Sequence, residues 1–134
     1  MKTCRVMILG RENASVSEYT VKERFPILLF FLLERYDRIE FLVGGDGAFE
    51  THSVKFIERA QKAIGTERIA MTLLTDEKSG DASGDVRFKQ ALDECDAVAC
   101  FIDRPEGDAY DALLHAQHHG KEAFNFAFHM VNMW

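Results

Sequence analysis

A chain of 134 residues is long enough to bury one hydrophobic core without metal or disulfide staples, and two full domains would be cramped in it. Its formal charge of -6 disfavours duplex nucleic acid as a partner, because a phosphate backbone selects a basic face, but it leaves room for a small anionic ligand held by a local cluster of donors. The longest apolar run, Ile27 to Leu33, is far too short to span a bilayer, so no membrane segment is expected. The first residues, Met1-Lys2-Thr3-Cys4-Arg5-Val6, lack the apolar stretch and small-residue cleavage site of a signal peptide, and the expected location is the cytoplasm. Cys4, Cys95 and Cys100 form no CxxC pair, and an odd count outside a secretory setting reads as buried thiols.

Residues 4–9 are short, mostly apolar and bounded by Gly10, which predicts a buried first strand. A polar turn follows at 12–17, and Ser17 is placed to cap a helix running to about Arg35, with Glu18 just inside its positive end. Pro26 lies nine residues inside that helix and is expected to kink it or split it in two. The density of Ile27 to Leu33 predicts that its second part is covered, by the sheet or by another subunit. Residues 39–43 form the second strand. Phe49 to Ile64 carries Val54, Ile57, Ala60 and Ile64 at helical spacing, one buried stripe.

Residues 68–74 are the third strand. Residues 75–85 are polar and read as a mobile loop, followed by a short helix over 86–94. Residues 97–102 are the fourth strand. A helix from about Asp108 to His119 ends at Gly120, and residues 122–128 are a final strand before a short tail. Strands alternate with helices throughout. That pattern predicts a single domain over 1–134: an α/β, three-layer Rossmann-like fold, with a central mainly parallel sheet of about five strands flanked by helices.

In open parallel sheets, ligands bind beyond the carboxyl ends of the strands. Three turns meet that description: Gly10-Arg11-Glu12, Gly44 to Glu50, and Asp103 to Asp108. The second is the strongest. Gly44, Gly45 and Gly47 fall between a strand and a helix, where they allow backbone N–H groups to approach a phosphate or carboxylate, aided by the helix dipole. The same glycines also suit a purely structural turn. Glu50 either favours the dipole or points into the cleft, where it orients a ribose hydroxyl or acts as a base. Asp46 adds repulsion to a phosphate loop, and its candidate roles are binding a ribose or pairing with Arg11. Arg11 is either an anion clamp or a surface ion pair. Glu106, Gly107 and Asp108 open the last long helix, with Asp108 as a candidate cap.

His115 and His119 share a helical face, but no nearby pattern completes a metal spacing, so no metal is assigned; no cofactor motif is present either. There is no Gly-x-Ser-x-Gly elbow and no phosphate-binding Gly-x-x-x-x-Gly-Lys-Ser/Thr loop.

Four segments carry a family resemblance: Val6 to Arg11, Phe41 to Glu50, Cys95 to Ile102, and Gly107 to Ala116 with Gly120-Lys121. In this order they resemble a small bacterial member of the SLOG superfamily, the Rossmann-like group related to the "lonely guy" phosphoribohydrolases, DNA-processing protein A and YpsA-type proteins. The resemblance spans nearly the whole chain. It implies a pocket for a nucleotide or nucleotide-derived ligand at the carboxyl edge of the sheet, its phosphate held by the Gly44–Gly47 turn. With the three turns, the candidate ligand-binding residues are Gly10, Arg11, Gly44, Gly45, Asp46, Gly47, Ala48, Glu50, Glu106, Gly107 and Asp108. The lonely-guy branch cleaves the N-glycosidic bond of nucleoside monophosphates, and Glu50 resembles its catalytic glutamate, with Asp46 as a second candidate. The sequence departs from that branch: Val43 replaces the usual proline before the glycines, Ala48 replaces the usual threonine after them, and the branch's arginine-bearing segment is not recognisable. Small relatives commonly begin with a strand ending Gly-His-Arg, where this chain reads Gly10-Arg11-Glu12. Three functions are therefore carried forward: a nucleotide-binding domain, a glycoside-cleaving enzyme using Glu50, and a partner-binding scaffold. A homodimer is expected from the 27–33 stretch and from the self-association of related proteins.

Overall fold

The computed structural model describes residues 2–10, 15–45, 47–74 and 82–128, with the side chains of 82–87 excepted. Strands β1 (Thr3–Gly10), β2 (Arg38–Val43), β3 (Ile69–Leu73), β4 (Ala97–Phe101) and β5 (Glu122–Asn125) alternate with helices α1 (Glu18–Arg35), α2 (Ala48–Ile64), α3 (Ala82–Glu94) and α4 (Asp108–His118). The strands form one sheet in the order β3-β2-β1-β4-β5, every pair parallel. This is the expected three-layer α/β arrangement. Because β1 is central and covered on both faces, Val6, Met7 and Ile8 are all fully buried in succession rather than alternately.

On one face α1 and α2 pack against Cys4, Val6, Ile8, Ile39, Phe41 and Ile69. On the other, α3 and α4 meet Met7, Leu9, Val98 and Cys100. Ser17 caps α1 as its position predicts, accepting the Thr20 backbone N–H at 3.1 Å. Pro26 does not split the helix: α1 runs unbroken from Glu18 to Arg35. Proline forfeits one intrahelical hydrogen bond. Burial of Val21, Phe25, Leu28, Leu29 and Leu32 on both sides of it holds the two halves as one rod. Within the 27–33 stretch, Leu28, Leu29 and Leu32 face the core, while Ile27 and Phe30 are exposed with Tyr19. The protein's own sheet thus accounts for most of that apolar density.

Beyond one-residue shifts at element ends, three features differ from the sequence reading. The helix expected from Val86 begins at Ala82; the rest of the expected 75–85 loop, residues 75–81, lies outside the described residues. The final strand stops at Asn125 and becomes a 3-10 turn over Phe126–Phe128. Asn125 ends the ladder itself, since its Oδ1 accepts the Ala127 N–H at 3.1 Å while Phe126 turns fully into the core. Third, Asp108 does not cap α4. Gly107 holds the cap position, with φ 99 and no side-chain bond, and Asp108 is the first helical residue. Gly120, with φ 77, follows the end of α4 where a left-handed residue was expected. The expected 12–17 turn falls partly, and the 129–134 tail wholly, outside the described residues. Among the described residues no helix is long and apolar enough to cross a membrane.

Candidate functional site

The helix after β1 lies on one face of the sheet and the helix after β4 on the other, and these two strands are neighbours. Their carboxyl ends therefore part at a topological switch point, the usual ligand crevice of an open α/β sheet. Gly10 ends β1 there, paired with Phe101 of β4. The turn after β2 delivers α2 to the same edge, and Gly47 is its N-cap, with Thr51 N–H donating to the Gly47 carbonyl at 2.9 Å.

Glu50 is the third residue past that cap, the position from which a glutamate side chain reaches back toward the turn. Only 8% of it is exposed. Its carboxylate lies in a cup of glycines. A methyl group on Gly45 would sit 2.6 Å from Glu50 Oε2, one on Gly47 would sit 3.0 Å from Oε1, and one on Gly10 would collide with Oε1. The three glycines are small because the carboxylate needs their space. Its negative charge also meets the positive end of α2.

Gly44 has a different neighbour. The Phe88 ring of α3 lies 2.7 Å from where a methyl would stand, and Met7 Cε 3.1 Å away. Gly44 thus admits an internal side chain from the opposite layer. Ala48 is exposed at the first turn of α2. Arg11 and Asp46 lie outside the described residues. Glu106, Gly107 and Asp108 are exposed on the loop that leaves β4. The structure brings Gly10, Gly45, Gly47 and Glu50 together, and Gly107 and Asp108 stand at the head of α4.

Reading motifs missed two features of this edge. Asn125, 2% exposed, clamps the end of β4: the Ile102 N–H donates to its Oδ1 at 3.1 Å and its Nδ2 donates to the Ile102 carbonyl at 2.9 Å. This fixes where the 103–107 loop departs. Beside it, Arg104 and Tyr110 help line a cavity of about 220 Å³. Neither feature has a local pattern, because Asn125 reaches its partner across 23 residues. On α2, close to Glu50 in the chain, His52 Nδ1 and Ser53 Oγ are buried and have no hydrogen-bond partner among the described residues.

The histidines of α4 are occupied otherwise. His115 donates from Nε2 to Asp93 Oδ1 at 2.9 Å, His119 Nδ1 meets the His115 carbonyl at 2.8 Å, and their rings stack at 4.3 Å. No group of three or more His, Cys, Asp or Glu among the described residues is arranged to hold a metal ion. All three cysteines are buried free thiols. Burial pushes Cys4 up to about 12 and Cys95 up to about 11, and raises Cys100 as well, so none is a ready thiolate. No family model, curated protein or solved structure matches this chain.

Proposed function

We propose that the carboxyl edge of the sheet binds a nucleotide or nucleotide-derived ligand, and that the chain is a small SLOG-type domain. The observation that carries this reading is the buried Glu50 carboxylate, held by Gly10, Gly45 and Gly47 at the switch point of the sheet. A carboxylate fixed there is an acceptor suited to a sugar hydroxyl. The phosphate falls to the Gly44–Gly47 turn and to the positive end of α2. Because Glu50 already fills the cup, the turn selects a ligand that brings a hydroxyl as well as an anion. Inorganic phosphate alone meets the carboxylate's repulsion.

A thermal-shift panel of nucleoside mono-, di- and triphosphates, ADP-ribose and cyclic dinucleotides tests the proposal. A ligand of the folded state raises the melting temperature with its concentration. We expect at least one nucleotide to do so, and Glu50→Gln to weaken that stabilisation. A flat panel, or stabilisation equal to that from inorganic phosphate, sinks the reading and leaves the partner-binding scaffold in its place. The buried position of Glu50 also supports the N-glycosidic hydrolase reading. Base release from a nucleoside monophosphate, lost in Glu50→Gln while binding is kept, is its signature. The exposed Tyr19, Ile27 and Phe30 on α1 support self-association through that helix, which sedimentation at micromolar concentration refutes if it finds only monomer.

A further inference from the structure

A second cavity, about 590 Å³, opens between α3 and α4, within the size range of small-molecule sites. Phe88, Leu92 and Ala112 supply its apolar lining, with Leu92 and Ala112 almost wholly buried. Carboxylates stand at both ends. Asp108 and Asp111 come from the first turn of α4. Asp93 comes from the last turn of α3 and marks the far end through its hydrogen bond to His115. From Asp108 to His115 is seven residues of helix, so the two acidic ends lie about 10 Å apart at a rise of ~1.5 Å per residue. Lys89 is the one lysine or arginine among the described lining residues, against three aspartates.

We propose that this groove binds a linear aliphatic diammonium ion lying along α4, one ammonium at Asp108 and Asp111 and the other at Asp93. Among the described lining residues three aspartates stand against Lys89 and His115, a balance that disfavours anions. A neutral apolar molecule would cover Asp108 and Asp111 without pairing them, which is costly. A methylene chain between two ammonium groups meets each part of the groove in kind: its chain lies on Phe88, Leu92 and Ala112, and its ends pair with acids. Asp93 has acceptor sites beyond the one that His115 uses. The proposal does not rest on the nucleotide reading, since the glycine turn and Glu50 take no part in it.

Titration of the full chain with octamethylenediamine, followed by backbone amide NMR, tests it. We expect saturable shifts confined to 88–93 and 108–115. Ethylenediamine, too short to reach both ends, and octylamine, with one charge, bind more weakly. Asp111→Asn and Asp93→Asn each weaken octamethylenediamine by about twofold to fivefold, the range for exposed ion pairs. Asp111→Lys abolishes saturable binding. Both aspartates are exposed, so the folded amide spectrum persists in the variants and serves as the control. Shifts scattered without saturation over the acidic surface overturn the proposal, as does equal affinity for ethylenediamine or affinity unchanged in the Asp93 and Asp111 variants.

Discussion

Between the sheet and the α1–α2 layer, phenylalanine rings interlock. Phe25 lies 5.5 Å from Phe41, 4.7 Å from Phe56 and 5.4 Å from Phe126, centroid to centroid, and Phe49 lies 5.2 Å from Phe126. Between the sheet and the α3–α4 layer the buried residues include no aromatic ring: Met7, Leu9, Leu92, Ile102 and Leu113 pack with Ala91, Cys95, Val98, Cys100, Ala112, Ala116 and Ala123, and Phe88 and Tyr110 are only partly buried against them. The first face is filled by large rings in edge-to-face and tilted contact. The second covers the sheet but leaves a groove of about 590 Å³ between its own helices. The difference separates two duties. Aromatic burial supplies area and fixed geometry, so the face that carries it anchors the fold. Small side chains let α3 and α4 cover the strands thinly, and the space between them is left for a guest.

The strongest way to break this comparison is to truncate one large residue on each face. Phe25 is fully buried at the centre of the aromatic cluster, and Phe25→Ala is expected to cost about 4 kcal/mol, near the middle of the range for such cavities. Leu92 is 5% exposed beside the groove, where solvent can enter the space its side chain leaves, and Leu92→Ala is expected to cost ~2 kcal/mol, the low end for leucine. Denaturant midpoints with an unchanged slope measure both. A Leu92→Ala cost equal to or above that of Phe25→Ala would show that the two faces share the anchoring equally.

A smaller effect sharpens what the glycine cup is for. The backbone at Gly45 is not in the left-handed region, so an alanine there suffers no strain of its own. What it meets is the Glu50 carboxylate, 2.6 Å from the new methyl. Gly45→Ala is therefore expected to destabilise by about 1–3 kcal/mol as overpacking. The cost should shrink in a Glu50→Ala background, giving a coupling of roughly 1 kcal/mol in a double-mutant cycle. A cost that stays the same without the carboxylate would assign Gly45 to the turn itself and detach it from Glu50.

The alternation of strands and helices was legible because apolar runs and their spacing are local. Ser17 before an apolar helix and Gly120 after one are local as well, and both stand where the pattern put them. That Glu50 lies close to Gly45 and Gly47 was legible from its place just after them. Its contact with Gly10 was not, because strand pairing and helix docking bring those residues together across 40 positions of chain. Gly44 read as part of a ligand turn, and its close approach to Phe88 from another layer was not legible there. Asn125 read as one more strand residue, since nothing near it in sequence announces the pairing with Ile102 that ends β5. Pro26 shows the opposite failure. Of the two outcomes expected of a proline there, the split did not occur, and five buried side chains lie along one continuous helix.

The smallest expected effect belongs to the clasp at the far end of the open face. The hydrogen bond from His115 holds the Asp93 carboxyl below its ordinary 3.8, with His119 and Lys121 adding favourable charge. An ionised carboxylate only accepts, so the ring donates from Nε2. Since the folded-state value is depressed, the stabilisation is fully present above the unfolded value of 3.8 and is lost as pH falls through the folded-state value. Asp93→Asn removes this linkage. The melting temperatures of the parent and the variant should converge in strong acid, separate as pH rises toward 3.8 and stay apart above it, with the parent higher. Both partners are largely exposed, so the separation is slight beside the two effects above. A separation that grows toward acid would mean that the charged carboxylate strains the α3–α4 contact instead of closing it, and the open face would then owe its shape to the loose packing of its small residues alone.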